Sequence, residues 1–357
     1  MSDPGEPLLR VEDLRVEFPT EDGLVHAVDG ITYQVRAGGT LGIVGESGSG
    51  KTVSSLTTMG LTRRQSALIS GRILFEGRDL VPLSDGELRA IRGNDIAMIF
   101  QDPLSSLHPF YRVGDQLIEA VQAHNDISKA RARERIVDLL GLVGIPDPGR
   151  RADDYPHEFS GGMRQRAMIA MALANDPKLL IADEPTTALD VTVQAQILGL
   201  MERLQRELGM AIVIITHDLG VVAELADDIA VMYAGRIVET TSAERLFAQP
   251  EHPYTWGLLK SIPSLTGPRE EALVPIPGTP PSLIRRPSGC HFHPRCAYSQ
   301  AEHTRVDPRL EQVPGEPNHH VACLLSSPER RSLWQELQQG RTPEQALSEV
   351  GLPEAQA

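Results

Sequence analysis

The chain has 357 residues, of which 41% are apolar and only 4% aromatic, and it carries a net charge of −14. That length suits two domains, or one large domain with an appendage, built around an aliphatic core. The acidic balance argues against a nucleic-acid partner, which needs a basic face, and no run of about eighteen apolar residues offers a membrane span.

Residues 1–10 carry Asp3 and Glu6 and no apolar core, so they do not read as a signal peptide. All three cysteines lie beyond residue 289, which reads as a cytosolic chain without a disulfide framework. Residues 8–36 alternate through Leu8-Leu9-Arg10-Val11, Leu14-Arg15-Val16-Glu17-Phe18 and Ile31-Thr32-Tyr33-Gln34-Val35. With Gly23 and Gly38-Gly39 as punctuation, this predicts a half-exposed antiparallel sheet. Phe18 is either a platform for an adenine ring or a plain core residue. Thr40–Val44 is short, apolar and β-branched, as a buried strand is.

Gly45-Glu46-Ser47-Gly48-Ser49-Gly50-Lys51-Thr52 comes next, and residues 51–61, free of proline, can be a helix. Strand, glycine loop and helix together form a phosphate cradle. Backbone N–H groups curl around the anion, and the helix N-terminus adds unpaired donors and partial positive charge. Lys51 can reach the outer phosphates and the Thr52 hydroxyl can bind Mg²⁺; Val53 opens the same helix.

Two short strands follow, at residues 72–75 and 96–100, the second running straight into Gln101-Asp102-Pro103. A Gln just past a buried strand can set its amide at a bound Mg²⁺ or water. Residues 105–175 read as helical; Ile136, Leu139, Leu140 and Val143 mark one face, and Gly144 and Pro146 end it. Phe159-Ser160-Gly161-Gly162-Met163 then opens a further helix, either as an anion-approachable tip or as a simple N-cap.

The run Leu179-Leu180-Ile181-Ala182-Asp183-Glu184-Pro185 is an apolar strand ending in two carboxylates. Asp183 stands where a doubly wound sheet places a Mg²⁺-linked acid. Glu184, on the other side of the pleat, can polarise an attacking water. Ala188-Leu189-Asp190 leads into a long helix from Val191 to Leu208. An apolar strand over residues 211–218 then carries His217 at its end, a candidate γ-phosphate contact.

In this order the motifs resemble the ATP-binding cassette family over residues 8–240. Residues 45–52 match its phosphate loop and Gln101 its glutamine loop. Ser160-Gly161-Gly162 matches its signature, flanked here by Phe159 and Met163 in the manner of the peptide-importer branch. Asp183-Glu184 matches the strand-end acids, Ala188-Leu189-Asp190 the loop that crosses the dimer, and His217 the switch histidine. The resemblance implies an α/β fold: a P-loop NTPase (RecA-like) core with an antiparallel β subdomain and a helical subdomain near residues 103–175. It implies a cassette over residues 1–245, an extension over 246–326 and a polar tail over 327–357.

It further implies MgATP as ligand, held by Phe18, Gly45, Glu46, Ser47, Gly48, Ser49, Gly50, Lys51, Thr52, Val53, Gln101 and Asp183. Ser160, Gly161, Gly162 and Asp190 of a second cassette would complete the site. Thr52, Gln101 and Asp183 would hold Mg²⁺, with Glu184, His217 and Gln101 catalytic. The expected setting is the cytoplasmic face of the membrane. The expected partners are a second ATPase subunit, two permease subunits and an extracytoplasmic binding protein. Peptides lead as cargo, with nickel chelates or oligosaccharides as other solutes. A soluble cassette ATPase acting on DNA or the ribosome is the alternative from a different class.

Beyond residue 245, His252-Pro253-Tyr254 opens a helix and residues 263–287 are proline-rich and extended. The tail reads as a polar helix at 329–339 followed by a loose end. The segment around Cys290, Cys296 and Cys323 resembles the extension of oligopeptide and dipeptide importer ATPases, where four cysteines bind a [4Fe–4S] cluster. Here His303 stands at the fourth position. A cluster with one imidazole ligand, a Cys₃His zinc site and no metal are the open readings. Either metal would staple a segment with little core of its own.

Overall fold

The structure is a computed structural model describing residues 6–101, 106–187, 189–261, 275–353 and 355, with residues 64 and 65 as backbone only. Asp102, Pro103, Ala188 and the first half of the proline-rich stretch lie outside the described residues. The strands of the first half are β1 (Leu9–Thr20), β2 (Gly23–Val35), β3 (Thr40–Val44), β4 (Leu68–Phe75), β5 (Arg78–Asp79) and β6 (Ile96–Ile99). Those of the second half are β7 (Leu179–Asp183), β8 (Ala211–Thr216), β9 (Asp228–Tyr233), β10 (Arg236–Ser242), β11 (Glu311–Gln312) and β12 (His320–Val321).

They form two sheets. One is antiparallel, in the order β2-β1-β4-β5; the other runs β11-β12-β10-β9-β3-β8-β7-β6. In the larger sheet β9, β3, β8, β7 and β6 are parallel, and β10, β12 and β11 continue it antiparallel. The parallel strands are buried on both faces, and the pleat sorts their side chains. Leu180, Ala182, Ile212 and Ile214 point into one core. Leu179, Ile181, Val213 and Ile215 point into the other.

The first core is closed by helices, among them Val113–Gln122, Lys129–Leu142 and Gly161–Ala172. The expected face Ile136, Leu139, Leu140 and Val143 is fully buried there. The second core is closed by the antiparallel sheet through Leu9, Leu14, Val28 and Ile31. The two β runs expected at 8–11 and 14–18 are a single strand, β1, broken by a register shift where Asp13 takes φ 44°. The α/β core, the antiparallel sheet and the helical layer are therefore those expected.

Three features differ from the sequence reading. The β9–β10 hairpin, turning through Ala234-Gly235, was not anticipated, although Ile229-Ala230-Val231-Met232-Tyr233 is an unbroken apolar run. The tail is not loose. Helix Ser327–Gln338 is followed by helix Pro343–Val350, which starts at a capping box between Thr342 and Gln345. The segment also has its own core, where Trp256, Tyr298, Leu325, Leu333, Trp334, Leu337, Ala346 and Leu347 pack together.

Candidate functional site

Register decides which residues meet. Val44 pairs with Thr216, Asp183 with Ile215, and Ile99 with Ala182. The segments that leave β3, β7, β8 and β6 therefore emerge at one edge, where open α/β sheets bind their ligands. Those segments begin with Gly45, Glu184, His217 and, one residue further, Gln101.

The loop after β3 curls tightly enough to exclude side chains at two points. A Cβ on Gly45 would lie 2.1 Å from the Met232 carbonyl oxygen, and one on Gly50 would lie 2.2 Å from that of Ala27. Gly50, at φ 100°, caps the helix Lys51–Thr58. The Lys51 ammonium folds back across the loop and donates to the Gly45 carbonyl at 2.7 Å and the Glu46 carbonyl at 2.9 Å. Burial lowers the pKa of this lysine, and the charges of Glu184, Asp183 and Glu46 oppose the shift. The loop is thus closed around a cation, with the helix N-terminus behind it.

Asp183 is 2% exposed, and its Oδ1 has no hydrogen-bond partner. The Thr52 hydroxyl lies in hydrogen-bond reach of this carboxylate. Burial raises the Asp183 pKa, Glu184 adds to the shift, and Thr52 and Lys51 oppose it. A buried carboxylate oxygen without a donor, beside a hydroxyl, supplies the oxygen ligands that suit a hard divalent cation. The residues present therefore fit Mg²⁺.

Glu184 is the hub of the site. Gln101 Nε2 donates to its Oε2 at 3.0 Å, Thr187 Oγ1 donates to the same oxygen at 2.9 Å, and His217 Nδ1 lies 3.2 Å from Oε1. Its backbone holds φ 48°, pinned by an N–H bond to the Ile215 carbonyl at 2.8 Å. A non-glycine residue keeps such a conformation only where its surroundings impose it. Burial alone would raise the Glu184 pKa. The Thr187 and His217 hydrogen bonds and the His217 and Lys51 charges outweigh it, so the carboxyl titrates below its ordinary value. It is an anion near neutral pH, placed to accept a proton.

Ser160-Gly161-Gly162 lies elsewhere. Ser160 Oγ accepts from the Met163 N–H at 3.2 Å and caps the helix Gly161–Ala172; Asp190 Oδ1 accepts from the Val193 N–H at 2.9 Å and caps the helix Val191–Leu208. Each cap is worth about 1 kcal/mol. The two tips share an open hollow of about 480 Å³ with Leu189 and Val193, and none of residues 45–52 lines it. Within one chain the signature and the phosphate loop are separate surfaces. Phe18 pairs with Val25 across the first hairpin and is partly buried against the second core. Val53 packs against the same core, Ser47 and Gly48 are exposed, and Ser49 is buried.

The expected metal site in the extension is not supported. Among the described residues no three His, Cys, Asp or Glu side chains form a group that could hold a metal ion. The three cysteines sit where two clusters meet, and Cys296 packs against both. Cys290 joins the core around Tyr254 and Phe292, whereas Cys323 packs against the cluster of Trp256 and Trp334. His303 Nδ1 is taken up by the Gln300 N–H at 2.9 Å inside its own turn. The thiols behave as apolar groups: burial raises the pKa of Cys290 and Cys296, and pushes that of Cys323 up to about 12.

Sequence reasoning missed Thr187, Tyr254 and Arg295, all of which touch the loop or Glu184. Thr187 was open to discovery, three residues past Glu184. The other two carry no local signal, because their partner Glu46 is more than two hundred residues away.

Comparison with known proteins bears on these surfaces together. The family model for "ABC transporter" matches residues 28–187, and the one for "Oligopeptide/dipeptide transporter, C-terminal region" matches residues 238–302. The oligopeptide transport ATP-binding protein OppD of Bacillus subtilis (strain 168) is 53% identical over 323 residues, covering 90% of each chain. The dipeptide transport ATP-binding protein DppD of the same organism is 52% identical over 321 residues, covering 90% of this chain and 95% of that one. Among solved structures, a post-hydrolysis dimer of the ATP-binding cassette MJ0796 bound to ADP and Pi superposes with a TM-score of 0.59. Identity there is 25%, over 66% of this chain and 98% of that one. Nucleotide loop, strand-end acids, signature helix and matched extension together place the chain in the ATP-binding cassette transporter family, as an ATPase with the oligopeptide/dipeptide transporter C-terminal region.

Proposed function

We propose that this chain is the ATP-hydrolysing subunit of an importer for short peptides, working at the cytoplasmic face of a membrane. The observation that carries the reading is the Glu184 carboxylate, held by Gln101, Thr187 and His217 at the edge where the phosphate loop opens. Residues 45–52 wrap the β- and γ-phosphates, Lys51 neutralises them, and Phe18 lies under the adenine. Thr52, Asp183 and the Gln101 amide oxygen would hold Mg²⁺, which would supply charge neutralisation on the phosphate oxygens. Glu184 takes the proton of the attacking water while the bond from the γ-phosphorus to ADP breaks, and His217 steadies the γ-phosphate. Positioning and charge stabilisation of this kind are most of what phosphoryl transfer asks of a protein.

Two cassettes pack head to tail in this reading. Each ATP lies between the Lys51 loop of one chain and the Ser160-Gly161-Gly162 tip of the other, with Asp190 at the junction. Support comes from the separation of those surfaces in a single chain and from the dimeric cassette of the same fold. The second ATPase is a related but different chain. No helix of the described residues is long and apolar enough to cross a membrane, so two permease subunits supply the channel and an extracytoplasmic protein delivers the solute. The division is a cassette over 1–245, an extension over 246–326 and a terminal helical segment over 327–357.

The test is reconstitution of the chain with the membrane proteins that co-purify with it. ATP hydrolysis should rise when peptide-loaded binding protein is added, and labelled peptide should enter the vesicles. Lys51→Ala should weaken MgATP binding by about tenfold or more, the scale of a lost charge-assisted contact to phosphate. Hydrolysis unmoved by peptides, but stimulated by ribosomes or DNA, would contradict the reading.

A further inference from the structure

The phosphate loop is held from outside as well as from within. Glu46, its second residue, is gripped by Arg295: Nη1 donates to Oε2 at 2.7 Å and Nη2 to Oε1 at 3.0 Å. This parallel pair is the strongest geometry a guanidinium offers a carboxylate. The Arg295 side chain is only 4% exposed and is fixed on its other sides. Its Nε donates to the Pro277 carbonyl at 2.7 Å, and its guanidinium stands 5.8 Å from the centre of the Tyr233 ring. The Glu46 N–H donates to the Tyr254 hydroxyl at 2.8 Å. Tyr254 is fully buried, with its ring 4.7 Å from that of Tyr233 and 5.4 Å from that of Phe292.

We propose that Arg295 and Tyr254 are positioning residues for the nucleotide, so that the C-terminal segment sets ATP affinity by clamping the phosphate loop through Glu46. The inference rests on residues 45–52 being the ATP site. Two effects combine. The Tyr254 and Arg295 contacts fix the backbone of Glu46, whose carbonyl also receives Lys51. The guanidinium also cancels a carboxylate that would otherwise stand beside a polyphosphate. An unpaired anion in an anion site opposes ligand binding, more strongly as ligand charge rises.

The experiment measures MgATP and MgADP affinity of the full-length chain by calorimetry, together with thermal stability without nucleotide. Arg295→Gln should weaken MgATP by about tenfold, equal to about 1.4 kcal/mol, and MgADP by less. Adding Glu46→Gln should return MgATP affinity to within about threefold of wild type, because the uncompensated charge is then gone. A merely structural arginine gives a different pattern: lower stability, unchanged affinity and no recovery in the double variant. That pattern overturns the inference. Should Arg295→Gln fail to fold, Tyr254→Phe removes one buried oxygen; MgATP binding weakened by about threefold supports the clamp, and unchanged binding overturns it. Lys51→Ala separates the two levels. If it binds MgATP as wild type does, the ATP-site reading has failed; if it loses binding while Arg295→Gln does not, only the clamp has failed.

Discussion

Glu184→Gln is expected to lower steady-state ATP hydrolysis by about 10²- to 10⁴-fold, the range a positioned general base contributes, while MgATP affinity stays near wild type. The amide is nearly isosteric, so the Gln101 and Thr187 contacts at 3.0 and 2.9 Å retain a carbonyl acceptor. What disappears is the anion, which the His217 and Thr187 contacts stabilise against burial. Binding rests in this reading on Lys51 and the loop backbone, and the substitution leaves both in place. Steady-state hydrolysis in the assembled complex is the measurement. A rate within about tenfold of wild type would remove Glu184 from the role of base.

The second large effect is on stability. Glu251 is completely buried and accepts from Arg330 Nε at 2.9 Å, Arg331 Nε at 2.7 Å and Ser327 Oγ at 3.0 Å. These bonds dock the helix Ser327–Gln338 onto the entry to the helix Pro253–Lys260. Glu251→Ala leaves Arg330, 7% exposed, as a buried charge without its carboxylate. Removing one partner of such a pair costs about 3–5 kcal/mol. Hydrogen exchange should show the loss concentrated in Ser327–Gln338 and Pro343–Val350, with Lys51–Thr58 still protected. Uniform protection equal to wild type would contradict it.

The same network carries a pH signature. Burial would raise the Glu251 pKa, but Arg331 and Arg330 outweigh it and hold the folded value below 4.5. A depressed carboxyl contributes fully above its unfolded pKa. The contribution therefore fades as pH falls below about 4.5 through the folded value.

Much of the candidate site was legible because its residues are local in sequence. Residues 45–52 are contiguous, Asp183-Glu184 ends an apolar run, and the two neighbouring carboxylates meet different partners. Single elements followed from hydrophobic periodicity, with Val191–Leu208 read to the residue, and the fold followed from the family resemblance. Long-range pairing was not legible. Nothing near Glu46 signals Arg295, and nothing near Glu251 signals Arg330. The cysteine spacing left a cluster, a zinc site and no metal open, and among the described residues no metal-holding group supports either metal. Spacing fixes how far apart the cysteines lie along the chain, whereas the two aromatic clusters decide what Cys290 and Cys323 pack against, with Cys296 touching both. The final helix was missed although Thr342, Pro343 and Gln345 spell its start.

The most direct test of the central claim, that ATP is shared between the phosphate loop of one chain and the signature tip of another, is Ser160→Arg measured twice. The isolated variant should bind MgATP as wild type does, because Ser160 lies outside its own phosphate loop. The assembled complex should lose hydrolysis by about 10²-fold, the cost of removing a donor from a charge-stabilising site. Loss of MgATP affinity in the isolated chain, or full activity in the complex, would contradict it.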